Sequence, residues 1–439
     1  MKKLNITFCS FPDYAGNAKA LYQYMKKRYK DNMNYTWIVY EEKTVEILKN
    51  EGTKAILIGT DEFKNYIPKT DVFFTTQGNL DGDKLKAKKS LYIELWHGIG
   101  PKPVGFAQKN PSYDDVRGYG NISEIVDYFI VPSEFWKTVW GAIFKVEFSR
   151  VKALGMPIFD YFKNSNGKDN LSKVLGLDVD RFDKVMVYMP TFRQGFNHND
   201  INYTADNVFN IKKGYSENKL NKYLKDNNYL LCIKMHPGEL SKIEIKESDN
   251  IKIIREEKML NNKVSVNEIM NAFDLMITDF SSVGPEFLFL DRPVLYNMSD
   301  IDEYIENRGI MFGNRDFWLA GPSFCTFDEL IDESYKLLTD ESYFKEIRQN
   351  KKDMWIGNLK DGGCKEICDF LFDENSISDK VVKHKSDFID MKEQIKKNNQ
   401  TIEEQKNLIN YLQSEKERLN LIENSKGWKL LEQLRKLRR

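Results

Sequence analysis

The chain is short of histidine, with four in 439 residues, and of cysteine, with five. The cysteines (Cys9, Cys232, Cys325, Cys364, Cys368) are odd in number and lie mostly in apolar runs. That argues against a disulfide framework and fits free thiols in a reducing, cytosolic compartment. Cys364 and Cys368 would share a helix face, but no histidine or further cysteine stands near them to complete a zinc site. Net charge is absent: 66 basic residues balance 66 acidic ones. A global polyanionic partner such as nucleic acid is therefore not expected, although local patches stay open. No apolar run approaches the ~18 residues of a spanning helix. The start, Met1-Lys2-Lys3-Leu4-Asn5-Ile6-Thr7-Phe8, reads as a short strand rather than a signal peptide. The expectation is a soluble or peripheral protein.

What is present is enough apolar material for two cores: 41% hydrophobic residues, with 28 Phe and 22 Tyr. The length also exceeds one ordinary core. The first third alternates strand-like runs (Leu4–Phe8, Tyr35–Tyr40, Ala55–Ile58, Val72–Thr75, Ser90–Leu95, Tyr128–Val131, Val151–Leu154) with helical ones. Ala18–Tyr29 has helical periodicity, and Ser133 is placed to N-cap a helix over Glu134–Phe144. A polar stretch, 167–183, follows, and the rhythm restarts with strands at Lys184–Met189, Leu230–Met235, Ile251–Ile254, Leu275–Thr278 and Pro293–Tyr296. The pattern predicts α/β architecture with parallel sheets covered by helices. The expected domains are 1–170 and 180–372.

Residues 373–387 read as a linker and 388–439 as a helical tail. Phe388, Ile395, Ile402 and Ile409 recur every seven residues, flanked by Met391, Leu412 and Leu419, while Asn398 and Gln405 dilute the seam. That is a long helix or weak coiled coil, compatible with a homo-oligomer. From Ser425 to Arg439 six basic residues accompany one acidic one, with Trp428 and leucines at helical spacing. A basic amphipathic helix of this kind suits an anionic membrane surface, or else packs on a partner.

Scarcity makes the histidines informative. His97 in Leu95-Trp96-His97-Gly98 and His236 in Lys234-Met235-His236-Pro237 each close an apolar run and precede a turn residue. That is where α/β sheets deliver side chains to a ligand crevice. His97, with Lys102 close behind, is placed to deprotonate an alcohol while the lysine draws in phosphate; a structural aromatic–histidine corner is the alternative. His236 is placed to donate to a phosphate, to act as an acid, or simply to bond backbone. Thr278-Asp279-Phe280-Ser281-Ser282, followed by Gly284-Pro285, reads as a strand end opening a helix. Hydroxyls and N–H groups there bind phosphate, and the same residue types also serve as ordinary caps. His198 and His384 lie in polar stretches and read as surface residues. Together the motifs point to an enzyme that handles phosphate.

These motifs fall into a familiar order. Ser10-Phe11-Pro12-Asp13-Tyr14-Ala15-Gly16-Asn17-Ala18-Lys19-Ala20-Leu21-Tyr22 is similar to a family strand–loop–helix. Trp96-His97-Gly98 with Lys102 and Gly105, Ser133-Glu134-Phe135, Gly155-Met156-Pro157 with Asp160, Pro190-Thr191-Phe192-Arg193, His236-Pro237, Thr278-Asp279-Phe280-Ser281-Ser282 and Arg308-Gly309 follow in turn. In this series the chain resembles the CDP-glycerol glycerophosphotransferase family of teichoic acid primases, polymerases and related capsule enzymes. It departs from the family pattern after His97, where Ile99-Gly100-Pro101 replaces the usual Thr-Pro-Leu and the loop loses a hydroxyl.

The resemblance implies a GT-B-like fold: two Rossmann-like domains facing a cleft, acceptor on the N-terminal side and donor on the C-terminal side, plus the helical tail. It implies CDP-glycerol or CDP-ribitol as donor, a lipid-linked or polysaccharide acceptor, no metal or cofactor, and a place on the inner face of the cell membrane. His97 and His236 are the expected catalytic pair. His97 takes the acceptor proton, and His236, Arg193, Ser281 and Ser282 bind the diphosphate and stabilise charge as CMP leaves. Thr191 belongs to the same donor loop, Asp279 orients the serine turn, and Glu286 is expected to reach the donor ribose. Lys102 and Gly98 fall on the acceptor side. Two other readings compete: a GT-B nucleotide-sugar glycosyltransferase, and a non-enzymatic, membrane-associated assembly factor.

Overall fold

Short, apolar strands recur through the first 330 residues. In a computed structural model describing residues 3–77, 90–191, 207–235, 245–373 and 383–437 they form two sheets. The first holds β1 (Leu4–Cys9), β2 (Met33–Val39), β3 (Lys54–Leu57), β4 (Val72–Thr75), β5 (Leu91–Glu94), β6 (Tyr128–Val131) and β7 (Val151–Ala153). The second holds β8 (Lys184–Tyr188), β9 (Tyr229–Ile233), β10 (Ile251–Ile253), β11 (Leu275–Thr278), β12 (Val294–Asn297) and β13 (Ser323–Phe324). Their orders are β3-β2-β1-β4-β5-β6-β7 and β10-β9-β8-β11-β12-β13, parallel throughout. β4, β5 and β9 are buried along their whole length, as strands covered by helices on both faces must be. Every strand expected from the sequence is present within about two residues; β13, only two residues long, carries too little pattern to read.

Both sheets are doubly wound, as the GT-B-like reading requires. Each reverses its winding between its first and fourth strands, β1 and β4 in one, β8 and β11 in the other. A crevice opens at such a switch point, beyond the carboxyl ends of the strands. Within the unit Met1–Val381 the sheets share apolar packing: Trp136 stacks on Trp318 at 5.9 Å, Trp318 on Trp355 at 5.4 Å, and Phe159 on Phe289 at 4.6 Å. Burying each such ring contributes about 2–3 kcal/mol.

Two local expectations change. Ser133 stands at the N-cap of the helix Glu134–Ile143 but makes no capping bond. Its hydroxyl donates to the Met354 carbonyl at 2.8 Å and so ties two distant segments together. Residues 364–373, grouped by sequence with the second half, pack on the first sheet. Cys364, Ile367, Cys368 and Leu371 join the core around Leu21 and Met25 of α1 (Gly16–Tyr29). Asp160 accepts from the Cys364 amide at 3.0 Å, and Arg28 pairs with Asp369 at 2.7 Å. The apolar face of this short helix needs a core, and that core belongs to the first sheet.

The second unit, Val382–Arg439, is helical. One helix runs Lys383–Glu423, beginning inside the stretch read as a linker. Ile395, Ile402 and Ile409 lie exposed along it. A second helix, Lys426–Leu437, starts where the Trp428 amide donates to Ser425 Oγ at 3.2 Å. No helix among the described residues is long and apolar enough to cross a membrane.

Candidate active site

β5 is apolar except for its last residue, Glu94, which is fully buried. The chain then turns at Trp96, a left-handed residue (φ 51°). Its amide donates to Glu94 Oε1 at 2.8 Å, and its carbonyl accepts from Asn17 Nδ2 at 2.9 Å. The turn leaves the His97 ring with a solvent-accessible face. Nδ1 of His97 lies 2.8 Å from the Thr76 carbonyl, at the end of β4. A carbonyl only accepts, so the neutral ring carries its proton on Nδ1 and leaves the Nε2 lone pair available. Crowding by surrounding protein pushes the His97 pKa down, the Thr76 bond opposes that, and the Lys102 charge adds to the lowering. The accessible face tempers the crowding effect, but its direction keeps the ring neutral, the form a base requires.

On the second sheet, the residues after β8 and β11 flank the switch point. Asp279 is buried and accepts from Thr191 twice, from the amide at 2.8 Å and from Oγ1 at 2.6 Å. It also accepts from the Ser281 amide at 3.1 Å. One carboxylate thus fixes the start of the Thr191 loop and the serine turn together. Thr278 Oγ1 adds a bond to the Met189 carbonyl at 2.7 Å. Ser281 and Ser282 remain partly accessible, and the helix they open, Val283–Phe287, is barely one turn long. A macrodipole needs more aligned peptides than that, so hydroxyls and amides must provide whatever anion affinity the turn has.

The two sides meet at glycines. A Cβ on Gly98 would stand 3.0 Å from Glu286 Oε1 and 3.0 Å from Ser282 Oγ; one on Gly100 would stand 3.2 Å from Ser282 Cα. Glu286 is buried, and its Oε1 faces the Ile99 amide at 3.4 Å. Burial pushes its pKa up to about 8, opposed by the Ile99 amide and the Ser282 hydroxyl. The side chain expected to reach a donor ribose spans to the histidine loop. Ile99 itself is core. Beyond it, the Met311 amide donates to the Pro101 carbonyl at 2.8 Å, bringing the Arg308-Gly309 segment alongside.

The structure therefore gathers His97, Gly98, Ser282 and Glu286, sets Lys102 close enough for its charge to act on His97, and joins Thr191, Asp279 and Ser281 on the donor side. Arg193 and His236 lie outside the described residues. Sequence reasoning assigned no role to Asn17, Glu94 or Thr76. Glu94 alone carried a signal, as an acid inside an otherwise apolar strand.

The family profile described as CDP-Glycerol:Poly(glycerophosphate) glycerophosphotransferase matches residues 1–373. A teichoic acid glycerol-phosphate primase of Bacillus subtilis (strain 168) is 26% identical over 321 residues, covering 68% of this chain and 75% of the relative. A teichoic acid poly(ribitol-phosphate) polymerase of Bacillus spizizenii is 26% identical over 317 residues, covering 68% of this chain but 46% of the relative, so the chain spans under half its length. Among solved structures, the wall teichoic acid polymerase TagF superposes with a TM-score of 0.66 at 21% identity, covering 89% of this chain and 90% of that one. A UDP-GlcNAc 2-epimerase from Neisseria meningitidis gives 0.52 at 12% identity, covering 84% and 99%. These structural likenesses show the fold.

Proposed function

Because this chain belongs to the CDP-glycerol:poly(glycerophosphate) glycerophosphotransferase family, we propose that it transfers a polyol phosphate, glycerol phosphate first, from a CDP-alcohol to an acceptor hydroxyl. The acceptor is lipid-linked or a polysaccharide, in the synthesis of teichoic acid or a capsule-like polymer. Support comes chiefly from one observation: an imidazole whose Nδ1 is engaged, and whose Nε2 has no hydrogen-bond partner among the described residues, sits on the loop that abuts the serine turn. The acceptor O–H gives its proton to His97 Nε2 as its oxygen bonds the phosphorus carrying the polyol. The pyrophosphate P–O bond breaks and CMP leaves. Ser281, Ser282, Arg193 and His236 bind the diphosphate and take up the charge, with Thr191 and Asp279 holding the turn and Lys102 attracting phosphate from the acceptor side. The scheme calls on no metal ion and no further cofactor.

The tail has its own role in this reading. Trp428, Leu430, Leu431, Leu434 and Leu437 are exposed on a helix that also carries Lys426, Lys429, Arg435 and Lys436. That pattern suits the anionic inner face of the cell membrane, where a lipid-linked acceptor lies. The exposed seam Ile395, Ile402, Ile409 suits a second copy of the chain. The deciding experiment is a donor screen with a synthetic acceptor: CDP-glycerol, CDP-ribitol and nucleotide sugars, read as CMP or UDP release. CMP release from a CDP-polyol, undiminished by a chelator, is expected. Release only from a nucleotide sugar would replace this reading by a glycosyltransferase, and no release from any donor by an assembly role.

A further inference from the structure

Along β5 and the two residues after it the side chains alternate: Leu91, Ile93 and Leu95 enter the core that includes α1, while Tyr92 and Trp96 enter the other. Continued alternation would send His97 into the α1 core. The left-handed turn at Trp96 breaks the alternation and leaves the ring at the crevice. For a bulky residue this conformation is strained and persists only where the surroundings over-determine it. Here they do. The indole packs on Phe144 at 4.6 Å and Phe129 at 6.0 Å, and on His97 itself at 4.4 Å. Both backbone polar groups of Trp96 are held, the amide by Glu94 and the carbonyl by Asn17. Asn17 is buried and its amide group is fully engaged. Nδ2 also donates to the Leu95 carbonyl at 3.3 Å, and Oδ1 accepts from the Ile158 amide at 3.1 Å, beside Gly155-Met156-Pro157.

We infer that Asn17 and Glu94 are positioning residues: gripping Trp96 from both sides, they hold its left-handed turn and so aim the His97 imidazole. The inference rests on His97 being the base. Neither side chain touches substrate; they act through the backbone of the neighbouring turn. The Gly155-Met156-Pro157 loop is part of the same junction through Ile158, which gives that motif a reason to be near the site.

The test uses the full-length protein with CDP-glycerol and a soluble acceptor. Asn17→Ala is expected to lower kcat by about a hundredfold while KM for CDP-glycerol, a property of the other sheet, stays within about twofold. In nitrogen NMR of histidine-labelled protein, the Nδ1-protonated signature of His97 should be lost. A folded Asn17→Ala protein with unchanged kcat and unchanged His97 signature overturns the inference. Should that variant not fold, Glu94 decides. Glu94→Gln keeps an acceptor for the Trp96 amide and should retain most of kcat, whereas Glu94→Met should not; equal activity of the two overturns the inference. His97→Ala is run beside them. An inactive His97→Ala with a fully active Asn17→Ala rejects the clamp and leaves the base standing. An active His97→Ala rejects the base, and the clamp with it.

Discussion

Gly98 and Glu286 occupy adjoining space: a Cβ on Gly98 would stand 3.0 Å from the Glu286 carboxyl, a few tenths of an ångström tighter than an ordinary contact. The loop carrying the proposed base and the turn carrying the proposed phosphate ligands are thereby set at a fixed distance. Catalysis between two sheets depends on such a distance, since a misplacement of about 1 Å can cost about a hundredfold in rate.

Gly98→Ala should therefore push the loop away from the serine turn. Part of the contact is Ser282 Cβ, which cannot swing aside. A loss of about 1–3 kcal/mol in stability is expected, with a larger fall in kcat than the melt alone explains. Steady-state kinetics beside thermal melts will check it; a variant as active as the parent would mean that the contact sets no distance.

His97→Ala should lower kcat by about 10²–10⁴-fold and leave CDP-glycerol affinity near normal by calorimetry. The pKa of His97 lies below its ordinary 6.5, so the ring stays neutral and competent to lower pH than a free imidazole. The acid limb of the kcat/KM profile should accordingly fall below pH 6.5. Lys102→Met removes a charge that contributes to the lowering and should move that limb upward.

Glu286 should make stability pH-dependent. Its folded pKa of about 8 exceeds the ordinary 4.5, so the folded protein holds a proton that the unfolded chain has released between those values. Stability falls as pH rises across that window, by an order of a few kcal/mol once the carboxyl is ionised. Glu286→Gln keeps an acceptor for the Ile99 amide and cannot ionise. Its melting temperature should change less between pH 5 and pH 9 than that of the parent, a range chosen to bracket about 8; parallel curves would reject the assignment.

Asp279→Ala leaves the Thr191 amide and hydroxyl and the Ser281 amide without their carboxylate. A loss of about 1.5–3 kcal/mol for each charged hydrogen bond is the upper scale. The functional effect should appear as weaker binding of CDP-glycerol, because two donor-side segments lose their common anchor. Thr191→Val, which removes only the hydroxyl, should cost less. Calorimetric donor binding separates the two.

Truncation after residue 375 should leave turnover on a soluble acceptor near normal and depress it on acceptor in vesicles. Trp428→Ala and charge reversal at Lys429 and Arg435 should weaken co-sedimentation with anionic vesicles and leave the soluble assay unmoved. Equal sedimentation of parent and truncated protein would remove the membrane role.

Much of this protein is determined by local sequence. Strand positions follow from short apolar runs ending in turn residues, and the two-sheet plan from their repetition, because both are set by what each segment can bury. The histidine and serine motifs are legible for the same reason: each sits at a strand end, where a parallel sheet exposes side chains. The tertiary structure alone decided what those motifs do to one another. That Ile99 faces Glu286 across 187 residues, that Asn17 grips the Trp96 carbonyl 79 residues away, and that residues 364–373 return to α1 depend on which surfaces meet when two cores pack. Ser133 shows the same limit at small scale, since its cap-like position was overridden by a carbonyl 221 residues further on. Periodicity reports what a segment needs to bury, but partners distant in the chain are chosen by packing the whole, and no local pattern encodes that choice.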